Sequence, residues 1–104
     1  MLERVPVITG ARELAQMGLV PAGAYKNREY TWAEIDAEEA EDYELDIMMD
    51  PQTSGGLLVS IAEAEKEAAV KALQEAGLET SFAVIGRVLP KQAAGMIFRR
   101  KVTE

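Results

Sequence analysis

The sequence predicts a small α+β domain, and the pattern of its second half carries this prediction. Residues 62–76 have the apolar spacing of an amphipathic helix, and short apolar segments lie around it at residues 57–61, 81–88 and 96–100. The order strand, helix, strand, strand favours one small mixed β-sheet with helices packed on one face. The length of 104 residues is that of a single domain, so residues 1–104 are expected to form one unit.

The first element in chain order is a helix between Thr9 and Gly18. Threonine is a common N-cap, apolar side chains recur at helical spacing after it, and glycine is favoured just past a helix end. Residues 21–28 have no periodicity and indicate a loop. Thr31 and Glu34 are spaced as a capping box, which predicts a short helix.

The remaining elements follow from local apolar pattern. A second short helix is predicted over residues 43–49. Residues 57–61 form an apolar run that is typical of a buried strand. The helix over residues 62–76 has an apolar face and ends at Gly77, and it is the clearest element in the chain.

Composition excludes several classes of function. The chain has no cysteine and no histidine, so disulfides, imidazole metal sites and Ser-His-Asp or Cys-His catalysis are absent. Eleven basic and 18 acidic residues give a net charge of −7, which repels nucleic acid and anionic membrane surfaces. No apolar run approaches the roughly 20 residues of a membrane span, and the start lacks the apolar core of a signal peptide. We therefore expect a cytoplasmic protein with no nucleic-acid and no membrane partner.

The charges are unevenly distributed. Eight acidic residues lie within residues 34–46, and three basic residues lie together at 99–101. The acidic run is either a solvated helix face or linker, or a site for a cation or a partner. The basic cluster is either a solvated strand end or an anion site.

One glycine-rich segment stands out as a candidate site, at residues 50–56. Its sequence is Asp50-Pro51-Gln52-Thr53-Ser54-Gly55-Gly56. Such a turn aims several N–H groups at one point, and its two hydroxyls add uncharged donors. A P-loop would need GxxxxGK[ST] before a helix, whereas an apolar run without lysine follows here. The segment is therefore either a structural tight turn or a ligand-facing loop.

A second candidate patch is Asn27-Arg28, flanked by two tyrosines and a lysine. A guanidinium grips phosphate or carboxylate in bidentate fashion, and tyrosine rings stack on bases. The alternative interpretation is an ordinary surface loop.

Five sequence strings, taken together, resemble the C-terminal part of selenophosphate synthetase, also called selenide, water dikinase. They are Gly10-Ala11-Arg12-Glu13-Leu14-Ala15, Gly18-Leu19-Val20-Pro21-Ala22-Gly23, Asn27-Arg28, Asp50-Pro51-Gln52-Thr53-Ser54-Gly55-Gly56-Leu57-Leu58 and Ala83-Val84-Ile85-Gly86. The resemblance covers nearly the whole chain, and the string at residues 50–58 is its most specific part. The helix and the Ala-Val-Ile-Gly string would also fit aminoimidazole ribonucleotide synthetase or thiamine-phosphate kinase.

The resemblance implies part of an ATP-dependent enzyme that makes selenophosphate from selenide and water and releases AMP and phosphate. Enzymes of this family use Mg²⁺, form dimers and carry the reactive cysteine or selenocysteine in an N-terminal ATP-binding domain. The family's C-terminal domain normally opens with Thr-Asp-Val-Thr-Gly-Phe-Gly, and this sequence begins after that stretch. We therefore expect an incomplete C-terminal domain that is inactive alone, with no catalytic residue, no metal ligand and no bound cofactor of its own.

The family motifs assign candidate roles to two segments. Asp50 and Pro51 are assigned to a structural turn, in which the Asp50 side chain accepts N–H bonds from residues just ahead; the alternative for Asp50 is metal binding. The candidates for the cleft that holds nucleotide or substrate are Gln52, Thr53, Ser54, Gly55, Gly56, Asn27 and Arg28. The expected partners are the N-terminal ATP-binding domain and further copies of this chain. The alternatives are a stand-alone binding or assembly module, or the C-terminal part of another ATP-using relative.

Overall fold

The computed structural model describes residues 1–101, and the chain divides into two compact units. Unit 1 comprises residues 1–52 together with the segment from residue 83 onward, and unit 2 comprises residues 53–82. Helices and a small sheet are both present, which confirms the α+β class. The expectation of a single domain stays a prediction.

The described part of unit 1 contains three α-helices, two 3-10 turns and one parallel strand pair. In chain order they are the 3-10 turn Leu2–Arg4, α1 Ala11–Gln16, α2 Ala22–Thr31, the 3-10 turn Trp32–Glu34, β1 Ile35–Asp36, α3 Asp42–Met48 and β2 Met96–Ile97.

Helix α1 lies where apolar periodicity predicts it, but its N-cap differs from the prediction. The N-cap is Gly10, with φ of 88°, instead of Thr9. Gly18, with φ of 78°, follows the helix, and its N–H donates to the Ala15 carbonyl at 2.9 Å. A left-handed conformation suits glycine because it has no Cβ, so Gly18 terminates the helix as predicted.

Helix α2 occupies the region for which the sequence predicts a loop, so that prediction is wrong. Pro21 is the N-cap, and its fixed φ suits a helix entrance. The short helix predicted after Thr31 is present as the 3-10 turn Trp32–Glu34, with Thr31 at its N-cap. The predicted capping box is wrong, because the Thr31 hydroxyl donates to the Asn27 carbonyl at 2.9 Å instead. The turn Trp32–Glu34 continues from this helix end.

Helix α3 confirms the predicted short helix at residues 43–49 with a shift of one residue. Its N-cap is Glu41, whose N–H donates to the Glu44 carboxylate at 2.9 Å. Leu45 projects from its buried face and is only 2% exposed.

The sheet is smaller than predicted. Ile35 pairs with Met96 and Asp36 with Ile97, in parallel. The predicted strand at residues 96–100 is therefore present in part, and β1 lies in the acidic run, where no strand is predicted. Within residues 1–101 this parallel pair takes the place of the expected mixed sheet.

Unit 2 confirms the predicted long helix but not the strand before it. The 3-10 turn Glu63–Glu65 leads into α4 Lys66–Glu75, and Gly77 follows with φ of 64°. Residues 57–61 form no strand, and Leu57 and Leu58 are 94% and 80% exposed. Residues 81–88 also form no strand. A strand needs a neighbouring strand with which its backbone pairs, and within residues 1–101 the only paired strands are β1 and β2.

The core of unit 1 is small and is assembled from distant parts of the chain. Its buried members are Leu2, Ala24, Leu45, Met49 and Phe98. Since α2, α3 and the residue after β2 all contribute to it, this core fixes α2 against the end of α3. None of the helices in the described part of the chain is long and apolar enough to cross a membrane.

Candidate functional site

Helix α2 holds the start of the 50–56 loop through one stripe of residues. Gly23, Asn27 and Thr31 are spaced four apart, so they lie on one face of the helix. A Cβ added to Gly23 would lie 2.8 Å from Cγ of Pro51. The Asn27 side-chain amide donates to the Met49 carbonyl at 2.8 Å, and the Thr31 hydroxyl is 3.6 Å from the Met49 sulfur. Helix α2, which carries Asn27, thus lies next to the first residues of the 50–56 loop within unit 1.

The chain makes a tight turn where α3 ends. The Met49 N–H donates to the Leu45 carbonyl at 2.9 Å, and the Asp50 N–H donates to the Ile47 carbonyl at 3.3 Å. The Gln52 N–H then donates to the backbone carbonyl of Asp50 at 2.9 Å. The turn at Asp50 and Pro51 is therefore held by backbone groups, and the capping role of the Asp50 side chain stays a prediction.

Arg28 lies on the neighbouring face of α2 and contacts α3. Its guanidinium is 2.7 Å from the Asp42 carboxylate and 3.4 Å from that of Asp46, and it lies 5.4 Å from the centre of the Trp32 ring. The hydrogen bond to Asp42 raises the pKa of Arg28 above its ordinary value, although partial burial opposes the shift. Arg28 thus joins two helices, and its role toward a ligand stays a prediction.

The second half of the loop, residues 53–56, belongs to unit 2 and is exposed. Thr53 and Ser54 offer hydroxyls, and Gly55 and Gly56 have no side chain that could cover their backbone N–H groups. Space around Gly56 is open, with no heavy atom within 4 Å of an added Cβ. The segment therefore presents uncharged hydrogen-bond donors, the groups that suit a phosphate oxygen.

The acidic run and the basic cluster pair with each other in unit 1. Arg99 lies 2.8 Å from the Asp36 carboxylate and 3.4 Å from that of Glu39. Arg100 donates two hydrogen bonds to Glu44, at 2.8 and 3.0 Å. The sequence analysis interprets the acidic run and the basic cluster separately, and none of those interpretations describes this pairing. The opposite charges of the two runs were the signal that could have predicted it.

These ion pairs lower the pKa of two carboxylates, Glu44 and Asp36. Burial of Glu44, which is 5% exposed, favours the neutral acid, but the Glu41 N–H and the Arg100 guanidinium together outweigh it and lower the pKa of Glu44. The hydrogen bond from Arg99 lowers the pKa of Asp36. Both carboxylates are therefore ionised at neutral pH.

An open cavity of about 630 Å³ lies elsewhere in unit 1 and is acidic. Its lining residues are Ala15, Gln16, Gly18, Ala40, Glu41, Asp42, Tyr43 and Asp46. Three carboxylates repel a phosphate, and none of the predicted site residues lines this cavity. Across residues 1–101, no group of three or more acidic side chains is arranged to hold a metal ion.

Comparison with known proteins identifies the class. The family model described as AIR synthase related protein, C-terminal domain, matches residues 10–99. The chain belongs to this family. No solved structure matches the chain.

Within this family the chain is similar to selenide, water dikinases. It is 44% identical over 90 residues to the selenide, water dikinase of Caldanaerobacter subterraneus subsp. tengcongensis, and 45% identical over 91 residues to that of Clostridioides difficile. Each of these matches covers 86% of the chain and 26% of the relative. Selenide, water dikinase 2 of Peptoclostridium acidaminophilum is 37% identical over 93 residues, or 89% of the chain and 26% of the relative. The chain thus spans about a quarter of the length of these relatives, and the family resemblance of the sequence is confirmed.

Proposed function

We propose that this chain is the C-terminal part of a selenide, water dikinase, which makes selenophosphate from selenide, ATP and water and releases AMP and phosphate. One observation carries the proposal. The similarity to selenide, water dikinases extends over 86% of the chain. The match covers only 26% of each relative, so the activity in the name of these relatives belongs to a much longer protein. The activity of a whole enzyme is therefore proposed for an assembly and not for these residues by themselves.

In this proposal an N-terminal ATP-binding domain supplies the reactive cysteine or selenocysteine and the ligands of Mg²⁺. Bound Mg²⁺ neutralises charge on the phosphates of ATP. The present chain contributes a wall of the cleft between the two domains, and it is cytoplasmic together with the rest of the enzyme.

The 50–56 loop is the part of this wall that faces the phosphates or the selenium species. Gln52, the hydroxyls of Thr53 and Ser54, and the backbone N–H groups of the glycines serve as donors. The exposure of residues 53–56 and their lack of charge support this role, because neutral donors bind an anionic group without a competing carboxylate. Asn27 and Arg28 are cleft candidates in the same proposal, and within unit 1 Asn27 contacts Met49 and Arg28 contacts α3.

A second candidate function is a stand-alone assembly module that pairs with a separate catalytic chain. The observation that favours it is the exposed apolar run at residues 57–61, where Leu57 and Leu58 are almost entirely accessible. Contiguous exposed apolar surface commonly marks a site of protein association.

An assay of AMP formation separates these functions. We expect the purified 104-residue chain to form no AMP from ATP and selenide. The second sample is a graft in which this chain replaces the matching quarter of the Caldanaerobacter enzyme, and we expect it to be active. Replacing Thr53 and Ser54 by alanine in the graft should lower turnover, whereas Thr80→Ala and Ser81→Ala, on exposed residues outside the loop, provide the matched control. Activity of the chain alone, or a folded but inactive graft, would contradict the proposal.

A further inference from the structure

We infer that Gly23 and Asn27 are positioning residues that fix the base of the 50–56 loop, an inference that rests on the function proposed above. Neither residue needs to touch substrate. Both lie on α2 and contact the two residues that flank Asp50. Gly23 lies against the ring of Pro51, and Asn27 bonds to the backbone of Met49.

Glycine is required at position 23 because α2 passes close to the ring of Pro51. An added Cβ would lie 2.8 Å from Cγ, 3.2 Å from Cβ and 3.7 Å from Cδ of Pro51. The proline ring is closed on the backbone, so it cannot rotate aside as a flexible side chain does. Alanine at this position therefore displaces the backbone of Pro51 from α2. Glycine is a poor helix former, and this contact explains its presence in the first turn of α2.

Asn27 holds the other side of Asp50. Its amide donates to the carbonyl of Met49 at 2.8 Å, and Met49 is the residue that ends α3. Carbonyls in the last turn of a helix lack partners within the helix, so an external donor is needed there. Asn27 thus fastens α2 to the end of α3, one helical turn away from the Gly23 contact.

The two contacts determine where the loop begins. Met49 is anchored by Asn27, Pro51 rests on Gly23, and the Gln52 N–H closes the turn on the Asp50 carbonyl. Thr53 follows Gln52 directly in the chain. Helix α2 therefore fixes the position from which the loop, with its hydrogen-bond donors, extends. The donors of the loop are not part of α2.

Nuclear magnetic resonance on the ¹⁵N-labelled 104-residue chain tests the anchoring. We expect Gly23→Ala to shift the amide signals of the residues on both sides of Pro51, at positions 49, 50 and 52–54. Gly86→Ala, where space is open, should shift only its neighbours. Adding Pro51→Ala to Gly23→Ala removes Cγ and should return part of the shift. Unchanged signals at residues 49–54 would overturn the inference. Should Gly23→Ala abolish signal dispersion, Asn27→Ala with Lys26→Ala as its control makes the same measurement.

Kinetics of the grafted enzyme test the positioning role. We expect Gly23→Ala to lower kcat/KM by about tenfold to a hundredfold, since small misplacements near a reacting group have effects of this size. The added Pro51→Ala should restore a measurable part of the loss, which a general loss of stability would not explain. An active graft in which Gly23→Ala leaves kcat and KM unchanged overturns the inference and leaves the proposed function standing. A folded graft without selenide-dependent AMP formation overturns the proposed function, while the spectra still decide whether α2 anchors the loop.

Discussion

Truncation of Leu45 to alanine should destabilise unit 1 strongly, whereas the same truncation at Leu57 should not. Leu45 is 2% exposed and is the largest fully buried side chain in the described residues. It packs in a core with four other buried residues, which are Leu2, Ala24, Met49 and Phe98. Leu57 lies in the apolar run that the sequence assigns to a buried strand, but it is 94% exposed.

The size of the effect follows from the burial of the two leucines. Leucine-to-alanine changes in protein cores lower the free energy of unfolding by about 2–5 kcal/mol, through lost transfer energy and a residual cavity. Leu45→Ala should fall near the middle of this range, at about 3 kcal/mol. A domain of this size is stable by about 5–10 kcal/mol, so Leu45→Ala should remove about 30–60% of the total. Leu57→Ala should change the stability by about 0.5 kcal/mol or less, as is usual for exposed positions.

Urea denaturation followed by the fluorescence of Trp32 measures this difference, because the single tryptophan of the chain lies in unit 1. The midpoint of Leu45→Ala should drop by about 30–60% with little change in slope, and that of Leu57→Ala should match the unsubstituted chain. Fluorescence of Trp32 reports on unit 1, so a far-ultraviolet circular dichroism trace should accompany it to follow α4 in unit 2. Equal losses in the two variants would refute the reasoning and would indicate that residues 57–61 are buried.

Two further predictions concern the carboxylate pairs and the apolar run. The pKa of Glu44 is lowered in the folded chain, so its contribution to stability is present above the ordinary glutamate value of 4.5 and is lost as the pH falls through the folded value. Glu44→Gln should therefore be less stable than the unsubstituted chain at pH 7 and should lose less stability on acidification. Glu29→Gln serves as an exposed control. Parallel profiles of stability against pH for Glu44→Gln and the unsubstituted chain would contradict this. The exposed apolar run should cause self-association, so the elution volume on gel filtration should decrease with concentration, and Leu58→Glu should weaken this trend. An elution volume that is independent of concentration would argue against it.

The sequence predicts those helices in which apolar residues recur at helical spacing, and it misses a helix that lacks this pattern. Helices α1, α3 and α4 lie near their predicted positions because leucine, alanine and methionine recur at helical spacing. Helix α2 is missed because Ala24 is its only buried residue. Its other contacts are made by Gly23, Asn27 and Arg28, which leave no apolar periodicity. Local periodicity reports hydrophobic packing and does not report close backbone approach or polar contacts.

Long-range pairing is the other part that the sequence does not reveal. The strand pair of Ile35 and Met96 and the ion pair of Arg99 with Asp36 join positions that are about 60 residues apart. The predicted strand at residues 57–61 fails for the same reason, because strand formation depends on a neighbour and not on composition alone. For the candidate site, the 50–56 string is evident from the sequence, while its attachment to α2 requires the structure.

The discontinuity of unit 1 has a consequence for the order of events during synthesis. The chain leaves unit 1 after residue 52 and returns to it at residue 83, so all of unit 2 is translated before the core of unit 1 is complete. Phe98 of that core and both strands of the sheet depend on the last part of the chain, as does the bond from the Met1 amino group to the Ile85 carbonyl, which spans 84 residues. Contacts of such sequence separation form slowly, because a long loop must close first. During synthesis the core therefore stays incomplete after α1, α2 and α3 have been translated. In that interval their apolar residues are accessible to a chaperone that binds exposed apolar segments.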